Sequence, residues 1–212
     1  MNSTMVYELR HPSEVDSQKK YPALFLMHGM GSNEQDLLGL AKGLEEHFYI
    51  FSIRGPLSQP PGFAFFPIEG FGKPHREGFD QVVSELTSFI EETIEQYPID
   101  KSRLYLMGFS QGAILSMTLG LTLGNQIKGI IALSGYIPQF VKEEYNLQPV
   151  NDLSIYISHG ELDNVLPFAW GQANHEYFKK LGANVSFHSY KEGHTVSLEN
   201  YRDFRQWLHE NR

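Results

Sequence analysis

The 212-residue sequence predicts a doubly wound α/β fold, in which a mostly parallel sheet carries helices on both faces. Short apolar runs alternate with longer amphipathic segments, and the central runs are apolar throughout. Such runs suit parallel strands that are covered on both faces. Because no repeat or linker-like stretch divides the sequence, we expect one domain, residues 1–212.

Six apolar runs rich in β-branched and aromatic residues are predicted to be strands. They are Ala23–Met27, Phe48–Ile53, Arg103–Met107, Gly129–Leu133, Ser154–Ser158 and Val185–Tyr190, with Met5–Leu9 as a candidate edge strand. Crossovers between parallel strands are right-handed, and ligands bind at the carboxyl ends of the strands. Functional residues are therefore expected directly after each run.

Four segments, three between the predicted strands and one that closes the chain, have the apolar spacing of helices. They are Phe79–Gln96, Gln111–Leu123, Phe168–Leu181 and Val196–His209. Pro98, Gly124 and Gly182 follow the first three at positions that end helices. The stretch Gly55–His75 has neither pattern, so we expect a long loop without regular structure.

The composition excludes several classes of function. A net charge of −8 without a Lys/Arg cluster argues against nucleic acid or an anionic membrane as the main partner. The absence of cysteine excludes disulfides, thiolate metal sites and a cysteine nucleophile. No apolar run approaches the roughly 20 residues of a membrane span, and residues 1–8 lack signal-peptide features. We expect a cytoplasmic protein without stable membrane association.

A serine nucleophile is predicted at Ser110, in Gly108-Phe109-Ser110-Gln111-Gly112. The motif alone is a modest signal. Here it follows a predicted strand and precedes a predicted helix, which is the setting of a nucleophile elbow. The glycines allow a sharp turn, and the helix N-terminus favours negative charge in the transition state. The alternative is a glycine-rich turn in which Ser110 only caps the helix.

A serine hydroxyl needs a histidine base within hydrogen-bond reach. In the order serine, acid, histidine that accompanies this turn, the base follows Ser110. The histidines after Ser110 are His159, His175, His188, His194 and His209. We predict His194, because it alone is expected in a loop at the carboxyl end of a strand, the last one.

The acid that orients the base should follow the strand between nucleophile and base. The run Ser154–Ser158 leads into Glu161 and Asp163, and position alone does not choose between these two carboxylates. A buried carboxylate there would hold the histidine tautomer and stabilise the imidazolium.

Two backbone amides are predicted to hold the oxyanion. One belongs to Gln111, directly after the serine. The other belongs to Met30, because Gly29 and Gly31 allow the turn after the first long strand to point an N–H inward. The His28 side chain is expected to brace this turn. No metal site is predicted, since no H-E-x-x-H or comparable spacing occurs.

Motifs in the same order across nearly the whole chain resemble the phospholipase/carboxylesterase family, the small bacterial carboxylesterases related to acyl-protein thioesterases and lysophospholipases. They are His28–Asp36, Arg54-Gly55-Pro56, Gly108–Gly112, His159-Gly160-x-x-Asp163-x-x-x-Pro167 and Gly193-His194. The resemblance implies that Asp163 is the acid, because the family's acid lies three residues after His-Gly and four before Pro. It also implies a compact α/β-hydrolase fold without a separate cap domain, a reaction without a cofactor, and a capacity to form homodimers.

The sequence departs from the family pattern in an aromatic segment, where relatives tend to carry a Trp after Gly62. Here the chain has Phe63, Phe65 and Phe66, with Phe71 further on. We expect these four side chains to bind the apolar part of the substrate, and the alternative is simple loop packing.

The residues and the resemblance together predict a carboxylesterase that cleaves small-molecule esters through an acyl-enzyme on Ser110. One alternative is an acyl-protein thioesterase or lysophospholipase that acts on long-chain acyl substrates, which the absence of a basic patch disfavours mildly. Another is a hydrolase-fold binding protein without turnover, which would be expected to lack one of the three catalytic residues. None is missing from this sequence.

Overall fold

A computed structural model describes residues 5–16 and 18–212. Residues 1–4 and residue 17 lie outside the described residues. The prediction that residues 1–8 lack signal-peptide features falls partly on that first group. The strands are β1 Tyr7–Arg10, β2 Tyr21–Met27, β3 Tyr49–Ile53, β4 Leu57–Gln59, β5 Gly62–Ala64, β6 Ile68–Gly70, β7 Lys73–Pro74, β8 Ile99–Phe109, β9 Gly129–Leu133, β10 Ser154–Gly160 and β11 Asn184–Tyr190. The α-helices are α1 Arg76–Gln96, α2 Gln111–Leu123, α3 Gln139–Glu144, α4 Phe168–Lys180 and α5 Leu198–Glu210.

Seven strands form one sheet in the order β1-β3-β2-β8-β9-β10-β11. Every neighbouring pair is parallel except the edge strand β1, which runs antiparallel to β3. The mostly parallel sheet and the edge strand are therefore confirmed. Because the chain moves outward in opposite directions from β2 and from β8, a crevice is expected between the carboxyl ends of these two strands.

The core lies in two layers, one on each face of the sheet. Alternate residues of β2 belong to different layers: Phe25 packs in the first and Leu24 in the second. The first layer includes residues of α1, α2 and α4, and the second includes Phe204 and Leu208 of α5. Helices thus cover both faces, which confirms the doubly wound α/β fold and explains why the central strands are apolar at successive positions.

The structure corrects the prediction for Gly55–His75, which is wrong. This stretch contains two short antiparallel hairpins, β4–β5 and β6–β7. Strands of two or three residues interrupted by proline and glycine are too short to show an alternating pattern. The short helix α3 was likewise not predicted.

None of the helices in the described part of the chain combines the length and apolar character that crossing a bilayer requires.

Candidate active site

Ser110 lies at the sharp turn between β8 and α2, at the edge of the crevice beside β2. Its backbone has φ 54° and ψ −115°, a conformation that costs a non-glycine residue about 1–3 kcal/mol. The turn is held from both sides. The Ser110 amide donates to the Leu133 carbonyl of β9 (3.0 Å), and the Ile114 amide donates to the Ser110 carbonyl (3.0 Å).

The two glycines of the serine motif are required by close backbone approach. A Cβ atom at Gly112 would overlap the carbonyl oxygen of Met27 in β2. A Cβ atom at Gly108 would overlap the carbonyl group of Gly112. Strand β8, helix α2 and strand β2 therefore meet at a distance that only glycine permits. This contact places Ser110 at the carboxyl end of the central strands.

Ser110, His194 and Asp163 form one hydrogen-bonded chain. The Ser110 hydroxyl donates to His194 Nε2 (2.9 Å), and His194 Nδ1–H donates to Asp163 Oδ2 (2.7 Å). A carboxylate only accepts, so the proton of the neutral imidazole is assigned to Nδ1 and the Nε2 lone pair faces the hydroxyl. The three side chains predicted as nucleophile, base and acid are thus brought together from three separate loops.

The Asp163 carboxylate is fully buried and held as an anion. Its Oδ1 accepts hydrogen bonds from the amides of Val165 (2.9 Å) and Leu166 (2.8 Å). Burial acts to raise the pKa of Asp163, but hydrogen bonds from His194 and these two amides outweigh it and hold the pKa below its usual range. The other candidate acid, Glu161, is exposed and accepts from the Ser189 hydroxyl (2.8 Å).

The loops that carry Asp163 and His194 are tied together. The Leu162 amide donates to the Glu192 carbonyl (3.0 Å). The Glu192 carboxylate in turn accepts from the Ser197 amide at the start of α5 (2.7 Å). On its other side the His194 ring packs against Phe109, with ring centres 4.8 Å apart. These contacts fix His194 relative to both Asp163 and the serine turn.

The turn after β2 presents the predicted oxyanion donor Met30. The Gly31 amide donates to the Phe63 carbonyl (2.8 Å) and the Ser32 amide to the Gly29 carbonyl (3.2 Å). Among the described residues, the amides of Met30 and Gln111 donate none of the turn and loop hydrogen bonds. Both residues line the same cavity as Ser110, so their amides are the candidate oxyanion donors.

His28 braces this turn as expected. Its Nδ1–H donates to the Gly29 carbonyl (2.7 Å), and its Nε2 accepts from the Gly55 amide (3.0 Å). Acceptance at Nε2 requires the neutral ring, and burial lowers the pKa of His28. The loops after β2 and β3 are thereby joined.

Two further residues of the family motifs, Arg54 and Glu34, form an ion pair. Arg54 binds Glu34 in a bidentate manner, with Nε donating to Oε2 at 2.6 Å and Nη2 donating to Oε1. The hydrogen bonds from Arg54 hold the pKa of the buried Glu34 carboxyl below its usual range. The guanidinium also lies 4.5 Å from the centre of the Phe63 ring, so the pair joins the turn after β2 to the first hairpin.

A small cavity of about 30 Å³ adjoins the Ser110 side chain. It is lined by Met30, Phe66, Ile68, Gly70, Phe71, Gly72, Ser110, Gln111, Ile114, Tyr136, Val165 and Leu166. Of the four predicted substrate-binding phenylalanines, Phe66 and Phe71 line this cavity. Phe65 packs against His28, with ring centres 4.8 Å apart, and Phe63 packs against Arg54.

Larger clefts lie elsewhere on the molecule. One of about 260 Å³ shares Gly72 and Tyr136 with the Ser110 cavity and is therefore adjacent to it. Two others, of about 280 and 360 Å³, contain none of the three hydrogen-bonded residues. The candidate site is identified by its hydrogen-bond geometry rather than by cleft size. Within residues 5–16 and 18–212, no group of three or more His, Asp or Glu side chains is placed to hold a metal ion.

The Gln111 side chain is a functional feature that sequence reasoning missed. It is buried, its Oε1 accepts from the Phe65 amide (2.9 Å), and its Nε2 donates to the Phe66 carbonyl (2.8 Å). The residue after the serine therefore holds the aromatic wall of the cavity. A polar residue at the first position of a largely apolar helix is a hint in the sequence, but it does not identify the bonding partners.

We expect Gln111→Met to lower the free energy of unfolding by about 1–3 kcal/mol, because the Phe65 and Phe66 backbone groups lose their buried partner. Phe66 would also be less well fixed, so KM for an ester substrate should rise more than kcat falls. Urea denaturation and steady-state kinetics measure both effects. Gln206→Met is the matched control, because Gln206 is exposed on α5 and its side chain bonds the exposed Glu210. Unchanged stability and KM in Gln111→Met would contradict this role.

Comparison with known proteins agrees with the geometry. The Phospholipase/Carboxylesterase family model matches residues 13–211. Acyl-protein thioesterase 1 of Candida albicans is 30% identical over 96% of this chain and 96% of its own length. Acyl-protein thioesterase 1 of Debaryomyces hansenii is 32% identical over 88% of this chain and 89% of its own. A carboxylesterase structure from Bacillus cereus has a TM-score of 0.88 at 25% identity, covering 100% of this chain and 96% of that chain.

The comparisons confirm the predicted resemblance and the α/β-hydrolase fold. They also confirm the general class, a hydrolase of the carboxylesterase/acyl-protein thioesterase type. Because the family model matches nearly the whole sequence, the chain belongs to the phospholipase/carboxylesterase family.

Proposed function

We propose that the protein is a serine carboxylesterase that hydrolyses small carboxylic esters through an acyl-enzyme on Ser110. The observation that carries the proposal is the hydrogen-bonded chain from the Ser110 hydroxyl through His194 to Asp163 (2.9 and 2.7 Å), which opens onto a cavity that Met30 and Gln111 also line. This arrangement supplies a nucleophile, a base, an orienting anion and oxyanion donors.

In the first step Ser110 Oγ attacks the ester carbonyl carbon while its proton passes to His194 Nε2. Asp163 stabilises the imidazolium through the Nδ1–H bond. The carbonyl oxygen becomes an oxyanion, which the amides of Met30 and Gln111 stabilise. The intermediate then collapses, the bond to the alcohol oxygen breaks, and the alcohol leaves with the proton from Nε2.

The second step repeats this chemistry with water. His194 Nε2 takes a proton from a water molecule as its oxygen attacks the acyl-enzyme carbonyl. Collapse of the second intermediate returns the proton to Ser110 Oγ and releases the carboxylic acid. The Nε2 lone pair that faces Ser110 is what permits both transfers, and it depends on the proton being held at Nδ1.

The size and lining of the cavity favour a short acyl group. Its volume of about 30 Å³ accommodates little more than a few heavy atoms, and the side chains of Phe66, Phe71 and Ile114 make its wall apolar. Met30 and Phe71 are also partly exposed, so the cavity is open to solvent on one side. Small-molecule esters fit this description.

A second candidate function is cleavage of long-chain acyl thioesters by the same residues. It is favoured by the similarity to the two fungal proteins named acyl-protein thioesterase 1. The adjacent cleft of about 260 Å³, which shares Gly72 and Tyr136 with the Ser110 cavity, offers additional volume for a longer chain.

A panel of p-nitrophenyl esters graded from acetyl to palmitoyl, with matched thioesters, separates the two functions. We expect kcat/KM to be highest for acetyl or butyryl esters and to fall for longer acyl groups. Ser110→Ala measured in parallel gives the background hydrolysis of each substrate. Highest kcat/KM for the palmitoyl thioester would instead favour the second candidate.

A further inference from the structure

His159 is a fully buried histidine that takes no part in the mechanism above. It lies near the end of β10, and its Nε2 is 2.9 Å from the Leu166 carbonyl oxygen. The same nitrogen is 3.4 Å from Asp163 Oδ2, the oxygen that also accepts from His194. A carbonyl oxygen only accepts a hydrogen bond, so Nε2 carries the proton.

The other ring nitrogen of His159 has no acceptor for a proton. Among the described residues, buried Nδ1 has no hydrogen-bond partner. It faces helix α4, where a Cβ atom at Gly171 would lie 2.8 Å from it. The centre of the Phe168 ring, also in α4, lies 6.2 Å from the centre of the imidazole ring. The ionisable groups that face the ring are Asp163 and His194. Burial lowers the pKa of His159, so the ring is neutral and carries its single proton at Nε2.

Leu166 connects His159 to the acid. Its carbonyl accepts from His159, while its amide donates to Asp163 Oδ1 (2.8 Å). The backbone of Leu166 is thus hydrogen-bonded at its carbonyl to His159 of β10 and at its amide to the Asp163 carboxylate. Leu166 and Val165, which both follow Asp163 in this turn, also line the cavity at Ser110.

We propose that His159 is a positioning residue: its Nε2–H holds the Leu166 carbonyl and thereby fixes the Asp163 carboxylate against His194. The inference rests on the proposed function, because it requires Asp163 to be the acid. The neutral state of His159 is part of the role. A cation 3.4 Å from Asp163 Oδ2 would compete with His194 for the same oxygen.

The test compares His159→Leu with His159→Gln. Leucine removes the donor, whereas the glutamine amide can still donate to the Leu166 carbonyl and does not titrate. We expect kcat for a butyryl ester to fall about 10-fold in His159→Leu, the ratio that matches the loss of one buried hydrogen-bond partner. The far-downfield proton resonance of His194 Nδ1–H should weaken in the same variant. Both kcat and the intensity of the His194 Nδ1–H resonance should recover in His159→Gln. KM should change little in either variant.

Nitrogen-15 NMR of the imidazole rings tests the same role without any substitution, which covers the case that His159→Leu does not fold. In the wild-type protein His159 is expected to be neutral and protonated at Nε2 at pH 7 and above, because burial lowers its pKa. A proton on Nδ1, or wild-type kcat in a folded His159→Leu, would overturn the proposal. A glutamine variant as impaired as the leucine variant would also overturn it, since ring shape rather than the donor would then matter.

These outcomes are distinguishable from a failure of the proposed function. If Asp163→Asn kept full activity, the assignment of the acid would be wrong whatever His159 does. If Asp163→Asn were inactive while His159→Leu kept wild-type kcat, only the role of His159 would be lost.

Discussion

Ser110→Ala is expected to reduce kcat for a butyryl ester by about 10⁶-fold, the scale found when the serine of such a constellation is removed. Without Oγ, His194 Nε2 has no hydroxyl to deprotonate and no acyl-enzyme forms. The fold should be retained, because the turn is held by main-chain hydrogen bonds that do not use the hydroxyl. These run from the Ser110 amide to the Leu133 carbonyl and from the Ile114 amide to the Ser110 carbonyl. Initial rates with p-nitrophenyl butyrate, alongside a thermal melt, measure both expectations.

Ser102→Ala is the matched control for this substitution. Ser102 is an exposed serine near the start of β8, whereas Ser110 follows the end of that strand. The Ser102 hydroxyl donates to Asp100. It should retain wild-type turnover. Comparable turnover by Ser110→Ala and Ser102→Ala would show that another group performs the chemistry.

Asp163→Asn is expected to reduce kcat by about 10⁴-fold, the loss found when the acid of a serine triad becomes an amide. The asparagine oxygen can still accept from the amides of Val165 and Leu166, which leaves its NH₂ group facing His194. His194 would then accept at Nδ1 and carry its proton at Nε2. In that tautomer it cannot take the proton of Ser110.

Glu161→Gln provides the matched comparison, because it makes the same chemical change two residues away on an exposed side chain. We expect little loss of kcat from it. The ratio of the two variants, measured with one ester and accompanied by circular dichroism, isolates the carboxylate that supports His194. A greater loss from Glu161→Gln than from Asp163→Asn would reverse the assignment.

The sheet and the serine turn could be predicted because their physical causes are local. Continuous apolar runs predict buried parallel strands, and Gly129–Leu133 and Gln111–Leu123 have the predicted bounds. The glycines at 108 and 112 predict a turn that side chains would obstruct, and the overlaps with Met27 and Gly112 give the reason.

The acid could not be chosen from position in the sequence. Glu161 and Asp163 both follow the same strand, and only the folded turn distinguishes them. Asp163 points inward because the amides of Val165 and Leu166 bind its Oδ1, whereas Glu161 reaches the exposed Ser189 hydroxyl. The resemblance to a family supplied a choice that local pattern could not.

The aromatic segment shows a different limit. The sequence suggested that all of its phenylalanines would face the substrate. Phe65 and Phe66 follow the end of β5 in a bend, and their side chains have different surroundings. Phe66 lies at the cavity and Phe65 packs against His28. Because a bend has no regular alternation of side chains, the sequence could not predict which phenylalanine reaches the cavity.

The contacts of Gln111 and His159 could not be predicted from apolar periodicity. Gln111 bonds backbone groups 45 and 46 residues away, and His159 bonds a carbonyl in a loop without regular structure. Both side chains are buried polar groups whose partners are backbone atoms. Such partners become known only when the turns themselves are placed.

Labelling with a fluorophosphonate probe shows whether Ser110 is the nucleophile, because the probe forms a covalent bond only with an activated serine. After digestion, peptide mass spectrometry locates the adduct. We expect stoichiometric modification of Ser110 in the wild-type protein, much slower modification in Asp163→Asn, and none in Ser110→Ala. If a folded wild-type protein remained unmodified at Ser110, or carried the adduct on another serine, Ser110 would not be the nucleophile.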